Sequence, residues 1–172
     1  HALLRMLADG RFHSGVALGD ALGVTRATVW NDLQKLKNLG IDAYAVAGKG
    51  YRLPAPLELL AADEILAAMP PPAREAMKRL DVHLELPSTN AYLVEHAQRG
   101  APGGWACLAE CQSAGRGRRG RTWVSPLGGN IYLSVLWRFN SGAAVAGGLS
   151  LALGVAVAEA LHAAAVPGVG LK

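Results

Sequence analysis

Four arginines are set among three glycines in QSAGRGRRGRTW, residues 112–123. Arg116, Arg118, Arg119 and Arg121 offer forked, permanently charged donors for a carboxylate or a phosphate. Gly115, Gly117 and Gly120 open backbone conformations closed to other residues and allow close approach to a ligand. No Gly-Lys-Ser/Thr follows, so the stretch is not a P-loop. Alone, it fits nucleic acid, a nucleotide's phosphates or a solvated loop with no partner. The apolar run before it brings Glu110 and Gln112 to the end of a strand. Further upstream, LELPSTNAYL places Ser88, Thr89 and Asn90 between a strand and a helix. There they fit a helix N-cap and a compact donor–acceptor cluster equally well.

A different chemistry is written near the other end. SGVALGDALGVTRATVWNDLQKLKNLGI reads as two helices joined by a tight turn. Ser14 caps the first and Gly23 ends it; Thr25 caps the second, worth ~1 kcal/mol over Ala, and Gly40 ends that one. Val29, Leu33 and Leu36 repeat at helical spacing and form a buried stripe. The opposite face carries Arg26, Thr28, Asn31, Gln34, Lys35 and Asn38, groups suited to phosphates and base edges. A helical hairpin with a solvated face would look the same. The next run, DAYAVAGKGYRL, gives two short extended segments around Gly48-Lys49-Gly50, a hairpin with a cation at its tip. Helix–turn–helix followed by a hairpin is the winged-helix layout, with Lys49 over a phosphate.

The elements that must position these groups follow from composition and punctuation. The chain has 172 residues, half of them apolar, and a net charge of +4. That describes a globular protein with a real core, for which an anionic partner is permitted and not required. Cys107 and Cys111 share a face of a strand and lie too far apart to bridge easily. With the five histidines scattered, no cluster completes a metal site, and the cysteines read as buried free thiols of a reducing compartment. No signal peptide is visible. Residues 145–165 are apolar, but they are rich in Ala and Gly and carry Glu159 and His162. A charge in a spanning helix is costly, so this is read as a buried helix and no membrane partner is expected. Pro54 and Pro56 cannot sit inside a helix and mark a linker. The expected domains are therefore 1–53 and 61–172, with 54–60 between them. In the second, helices are expected over 63–69 (stopped by prolines 70–72), 74–80, 91–98 and 145–165. Strands are expected over 82–86, 105–111, 130–139 and 169–171. Such mixed order predicts an α+β or α/β domain on one sheet.

The set STN, ECQSAGRGRRGRTW, SPLGGNIYLS and a terminal lysine after a short strand, behind a winged helix, resembles the bifunctional biotin–protein ligases that also repress the biotin operon. The resemblance runs over essentially the whole chain. It implies an α+β protein: a winged helix–turn–helix, then an α/β mixed-sheet ligase domain of class II synthetase-like fold, incomplete at its C-terminus. The implied activity joins biotin and ATP, with Mg²⁺ held mainly by phosphates, into biotinyl-5′-AMP. Biotin then passes to a lysine of the biotin carboxyl carrier protein of acetyl-CoA carboxylase. The adenylate-bound form is implied to be a cytoplasmic homodimer on operator DNA.

Carried over by motif, Ser88, Thr89, Asn90, Gln112, Arg116, Gly117 and Arg118 contact biotin. Arg118, Arg119, Arg121, Trp123 and Asn130 contact the nucleotide, and Arg116, Arg118 and Lys172 act in catalysis. No metal ligand is implied. Thr25, Arg26, Thr28, Asn31, Lys35 and Lys49 are the expected DNA contacts. Lys172 matches the first residue of the family's Lys-Trp-Pro-Asn-Asp run. The chain ends before the rest of that run, before a second lysine and before a small C-terminal β-domain. It is therefore read as truncated, and the activity is assigned to the family and not yet to this piece. Two alternatives are a biotin-sensing transcription factor without chemistry and a lipoate-type ligase, the latter disfavoured by the winged helix.

Overall fold

Ser14 and Thr25 each start a helix in the computed structural model, which describes residues 2–139 and 147–171, without the Arg118 side chain. Helix α1 (Ala2–Leu7) precedes α2 (Gly15–Leu22) and α3 (Arg26–Asn38). The Ser14 hydroxyl accepts from the Ala17 N–H at 3.0 Å and that of Thr25 from the Thr28 N–H at 3.2 Å. Each satisfies an N–H that the helix itself leaves orphaned. Gly23 ends α2 at φ 65°, its N–H returning to the Asp20 and Gly19 carbonyls. The turn is tight enough that a Cβ on Gly19 would lie 2.7 Å from the Val24 carbonyl. Val29, Leu33 and Leu36 are buried with Leu3, Leu4, Leu7, Leu18 and Leu53. Each such burial stabilises by roughly 1.5–3 kcal/mol relative to exposure.

The expected wing is present as β1 (Tyr44–Val46) and β2 (Gly50–Arg52), antiparallel, with Val46 opposite Gly50. Tyr51 also exchanges both backbone hydrogen bonds with His13, at 2.8 Å each, tying the wing to the start of α2. The segment after the wing is packed. Leu57 and Leu59 lie against the winged-helix core, as do Leu84 and Leu127. Two compact units divide the chain, one running to Leu136 and the other beginning at Trp137.

In the first unit α4 (Ala62–Ala68) and α5 (Pro71–Ala76) lead into β3 (Arg79–Leu86). The helix expected over 74–80 is displaced. Prolines 70–72 do end α4, but Pro71 and Pro72 then occupy the first turn of α5, where a missing N–H is harmless. Arg79 and Leu80 belong to β3 instead, drawn into the sheet opposite Trp105 and Ala106. Helix α6 (Thr89–Gln98) crosses over to β4 (Trp105–Gln112), parallel to β3; a 3₁₀ turn (Arg118–Gly120) and β5 (Tyr132–Leu136) follow. The three-stranded order is β3-β4-β5, with β5 antiparallel to β4. The central β4 is buried from Trp105 to Cys111. Both cysteines are free and buried, and burial pushes the Cys107 thiol up to about 11. Strand β5 is shorter than the 130–139 expected.

At the end of the sheet away from Gln112, Asp81 accepts from Arg79 Nε at 2.9 Å, Tyr92 Oη at 3.0 Å and Trp105 Nε1 at 2.8 Å. Burial pushes the Asp81 carboxyl up, but these three donors outweigh it and hold the group below its usual range.

In the second unit α7 (Leu149–Ala163) lies within the expected helix, of which 145 and 146 fall outside the described residues, but it is not the buried helix expected: none of its residues is buried, and Leu151, Leu153 and Val157 are exposed. Among the described residues no helix is long and apolar enough to cross a membrane. The strand expected at 169–171 does not form. That segment turns back on α7 instead: the Val166 N–H bonds the Leu161 carbonyl at 3.0 Å, and His162 Nε2 lies 3.3 Å from the Val169 carbonyl. A strand is defined by its ladder, and this segment has none among the described residues.

Candidate functional site

A cavity of about 540 Å³ opens where β3, β4 and β5 meet the start of α6. Its back wall is a hydrogen-bonded set. Ser88 is the N-cap of α6, accepting from the Ala91 N–H at 3.3 Å. Thr89, only 3% exposed, donates its N–H to Gln112 Oε1 at 2.8 Å, and its hydroxyl lies 3.2 Å from the same oxygen. That hydroxyl also meets Ser134 Oγ of β5 at 2.9 Å. Gln112 sits opposite Leu86 at the end of β4, and its own N–H donates to Ser125 Oγ at 2.7 Å. With Oε1 occupied by Thr89, the amide nitrogen of Gln112 is the donor left for an occupant. Asn90, the third of the small polar residues, is exposed and lines the opening.

The glycine–arginine loop forms the front wall. Gly115 lies against the Trp123 indole, and a Cβ there would run into the ring. Trp123 in turn stands 6.2 Å from the Tyr132 ring. Gly117 backs onto the Arg121 carbonyl, again with no room for a side chain. The backbone then passes through Arg119 at φ 58° and Gly120 at φ 72°. A left-handed conformation is unusual for an arginine, and it marks where the loop reverses. Arg116 lines the cavity, whereas Arg119 and Arg121 are exposed and do not. The Arg118 side chain and Lys172 lie outside the described residues.

Asn130 is not in this cavity. It lines a neighbouring one of about 420 Å³ with Glu58, Glu64 and Glu110, and donates from Nδ2 to Oη of Tyr132, which lines the first, at 2.8 Å. Glu110, expected with Gln112 at the end of the strand, is buried and accepts from the Leu60 N–H. Tyr132 and Ser134 are site residues that sequence reasoning missed. Their signal is weak: two inward positions of period two in NIYLS.

The cavity thus offers a cation at one side and the amide-rich start of a ten-residue helix at the other. Both favour negative charge or strong acceptors. Among the described residues no group of three or more His, Cys, Asp or Glu is placed to hold a metal ion.

On the winged helix, Arg26, Asn31, Gln34, Lys35 and Asn38 are exposed along α3. Thr25 and Thr28 bond each other, hydroxyl to hydroxyl, at 3.0 Å, within the helix cap. Lys35 is paired with Asp32 at 2.7 Å, and Lys49 stands exposed at the hairpin tip, 5.8 Å from the centre of the Phe12 ring. Arg26 lines a hollow of about 320 Å³ with Gly48 of the wing.

Known proteins resemble both parts. Residues 1–52 match an HTH domain, and residues 84–170, just over half of the chain, match the biotin/lipoate A/B protein ligase family. The chain is 45% identical to the bifunctional ligase/repressor BirA of Escherichia coli (strain K12), over 93% of this chain and 48% of that protein. It is 35% identical to the Bacillus subtilis (strain 168) protein of the same name, over 92% and 48%. It is 42% identical over 52% of its length to 34% of the biotin–[acetyl-CoA-carboxylase] ligase of Mycobacterium tuberculosis. The chain spans about half the length of the bifunctional relatives it matches.

Proposed function

The chain belongs to the biotin/lipoate A/B protein ligase family, and from that premise we propose that the protein activates biotin with ATP and transfers it to a carrier protein, while its winged helix reads operator DNA. The observation that carries this is the cavity in which Thr89, Gln112 and Ser134 interlock behind Arg116 and Trp123.

A ureido ring needs donors and acceptors together. Ser88, Thr89, Asn90 and the free amide nitrogen of Gln112 supply them at the deep end. Biotin's carboxylate then points towards Arg116, Gly117 and Arg118. A carboxylate oxygen attacks the α-phosphorus of ATP, pyrophosphate leaves, and the mixed anhydride biotinyl-5′-AMP remains. Two anions must meet for this, and the arginines lower their repulsion and stabilise the charge that develops on phosphorus. Mg²⁺ accompanies ATP on its phosphates and neutralises part of their charge. Trp123 offers a face to the nucleotide. Arg119 and Arg121 reach it when the loop folds over, and Asn130 acts at one remove by holding Tyr132. In the second step the Nζ of a carrier lysine attacks the acyl carbon and AMP leaves. Between the steps the anhydride must be kept from water, which a glycine-rich loop closing on an anionic ligand achieves. Lys172 is proposed to act in the first step. The carrier is the biotin carboxyl carrier protein of acetyl-CoA carboxylase, the compartment is the cytoplasm, and the adenylate-bound form is a homodimer on DNA.

The test is direct. Intact protein given biotin and ATP should release pyrophosphate and accumulate biotinyl-5′-AMP, and Arg116→Ala should slow this at least tenfold. Biotin binding without pyrophosphate release would leave a sensor in place of an enzyme.

A further inference from the structure

One large apolar side chain of α3 is left unused by the fold. Trp30 is 53% exposed and takes no part in the core around Val29, Leu33 and Leu36. It stands one helical turn after Arg26 and immediately before Asn31, among residues otherwise polar or small. With Arg26, Ala27, Asn31 and Tyr51 of the wing it lines an open hollow of about 440 Å³. Two of its lining side chains, Tyr51 and Arg26, are closely packed against Gly15. A Cβ on Gly15 would meet the Tyr51 ring at 3.2 Å and the Arg26 side chain at 3.3 Å, so the bare glycine lets α2, α3 and the wing close together. Arg26 is the cation of its lining, and the wing that contributes Tyr51 also carries Lys49 and Arg52, which lie 5.8 Å and 5.0 Å from the centre of the Phe12 ring. Among the described residues no carboxylate lines the hollow.

We infer that Trp30 is a base-reading residue, presenting its indole to the C5-methyl group of a thymine in the major groove. The inference rests on the reading of α3 as the DNA-contacting helix, and it names what that helix selects. Arg26 in the lining and the wing cations Lys49 and Arg52 suit a polyanion, and the thymine methyl is the apolar group that a base edge offers in the major groove. Asn31, beside Trp30, has the paired donor and acceptor that match adenine N6 and N7, while Arg26 matches guanine or a phosphate. Trp30 carries no charge, so it contributes to sequence preference and not to the salt dependence of binding.

The experiment begins with duplexes selected from a random pool by the intact protein. Each thymine of the selected site is then replaced in turn by deoxyuridine, which removes the methyl and nothing else. In the wild type one replacement per half-site should weaken binding about fourfold, the value of one buried methyl-sized group. In Trp30→Ala that replacement should have no effect, whereas Trp30→Phe should keep part of it. Wild-type binding that is indifferent to every replacement, or an equal penalty in Trp30→Ala, would overturn the inference while leaving DNA recognition by α3 intact. If no duplex is enriched at all, recognition by α3 fails and the role of Trp30 falls with it.

Discussion

Gln112 ties two walls of the pocket together. Its Oε1 holds the N–H and the hydroxyl of Thr89, a residue only 3% exposed, and its backbone N–H fixes Ser125 at the far end of the loop. Gln112→Leu should therefore lower stability by about 1–3 kcal/mol, because the buried Thr89 N–H loses its acceptor. Biotin affinity should fall with it. Gln112→Glu restores the acceptor but not the amide donor, so stability should recover while affinity stays low. Urea denaturation paired with calorimetric titration separates the two, and a Leu variant as stable as wild type would remove Gln112 from its supporting role. The three consecutive residues Ser88, Thr89 and Asn90 were indistinguishable as letters. One caps, one is buried and one is exposed, because successive residues of a helix start point about 100° apart, at 3.6 residues per turn.

The elements hold the pocket by their far ends. At β3 and β4 the Asp81 carboxylate gathers Arg79, Tyr92 and Trp105, which keeps it ionised below the ordinary carboxylate range. A carboxyl depressed in the folded state stabilises it fully above its unfolded pKa, and that stabilisation is lost as pH falls through the folded value. Stability of the wild type should thus drop on the acid side of its unfolded carboxyl value of 3.8. The drop should be shallower in Asp81→Asn, which has no charge to lose. Denaturant midpoints measured through that range check it, and parallel acid limbs would show that Asp81 contributes nothing. Other element boundaries moved for equally physical reasons. Prolines that read as a stop for α4 are also a start for α5, and residues 79 and 80 exchanged helix for strand once β4 offered a partner.

At the scale of the molecule two cation-bearing surfaces belong to one chain, a pocket proposed to close on a nucleotide and a winged helix proposed to meet DNA. Lys49, exposed at the wing tip, is expected to contact one phosphate. Lys49→Ala should reduce the slope of log K against log[salt] by about 0.9. Biotinyl-5′-AMP should raise the affinity of the wild type for a two-half-site operator together with its dimerisation, because linked winged helices bind such a site more tightly than one. Sedimentation and binding isotherms with and without adenylate test this coupling. An unaltered slope in Lys49→Ala would take the wing off the DNA, and dimerisation indifferent to adenylate would uncouple the two surfaces.

By itself the sequence determined what depends on neighbours along the chain. The caps at Ser14 and Thr25, the left-handed stop at Gly23, the buried stripe of α3 and the hairpin around Lys49 all follow from a few residues each, and all are present. The burial of β4 was legible too, since an uninterrupted apolar run suits a central strand. Only the tertiary structure decided which groups of the loop and of β5 face the cavity. Arg116 lines it and Arg119 does not, because Gly115 yields to Trp123 and the backbone reverses at Arg119. Tyr132 and Ser134 join the site because β5 pairs with β4 in one register, and Asn130 falls into the next cavity. Residues 169–171 have the composition of a strand and are none, because a strand exists only through the partner it pairs with, and here the segment folds against its own helix.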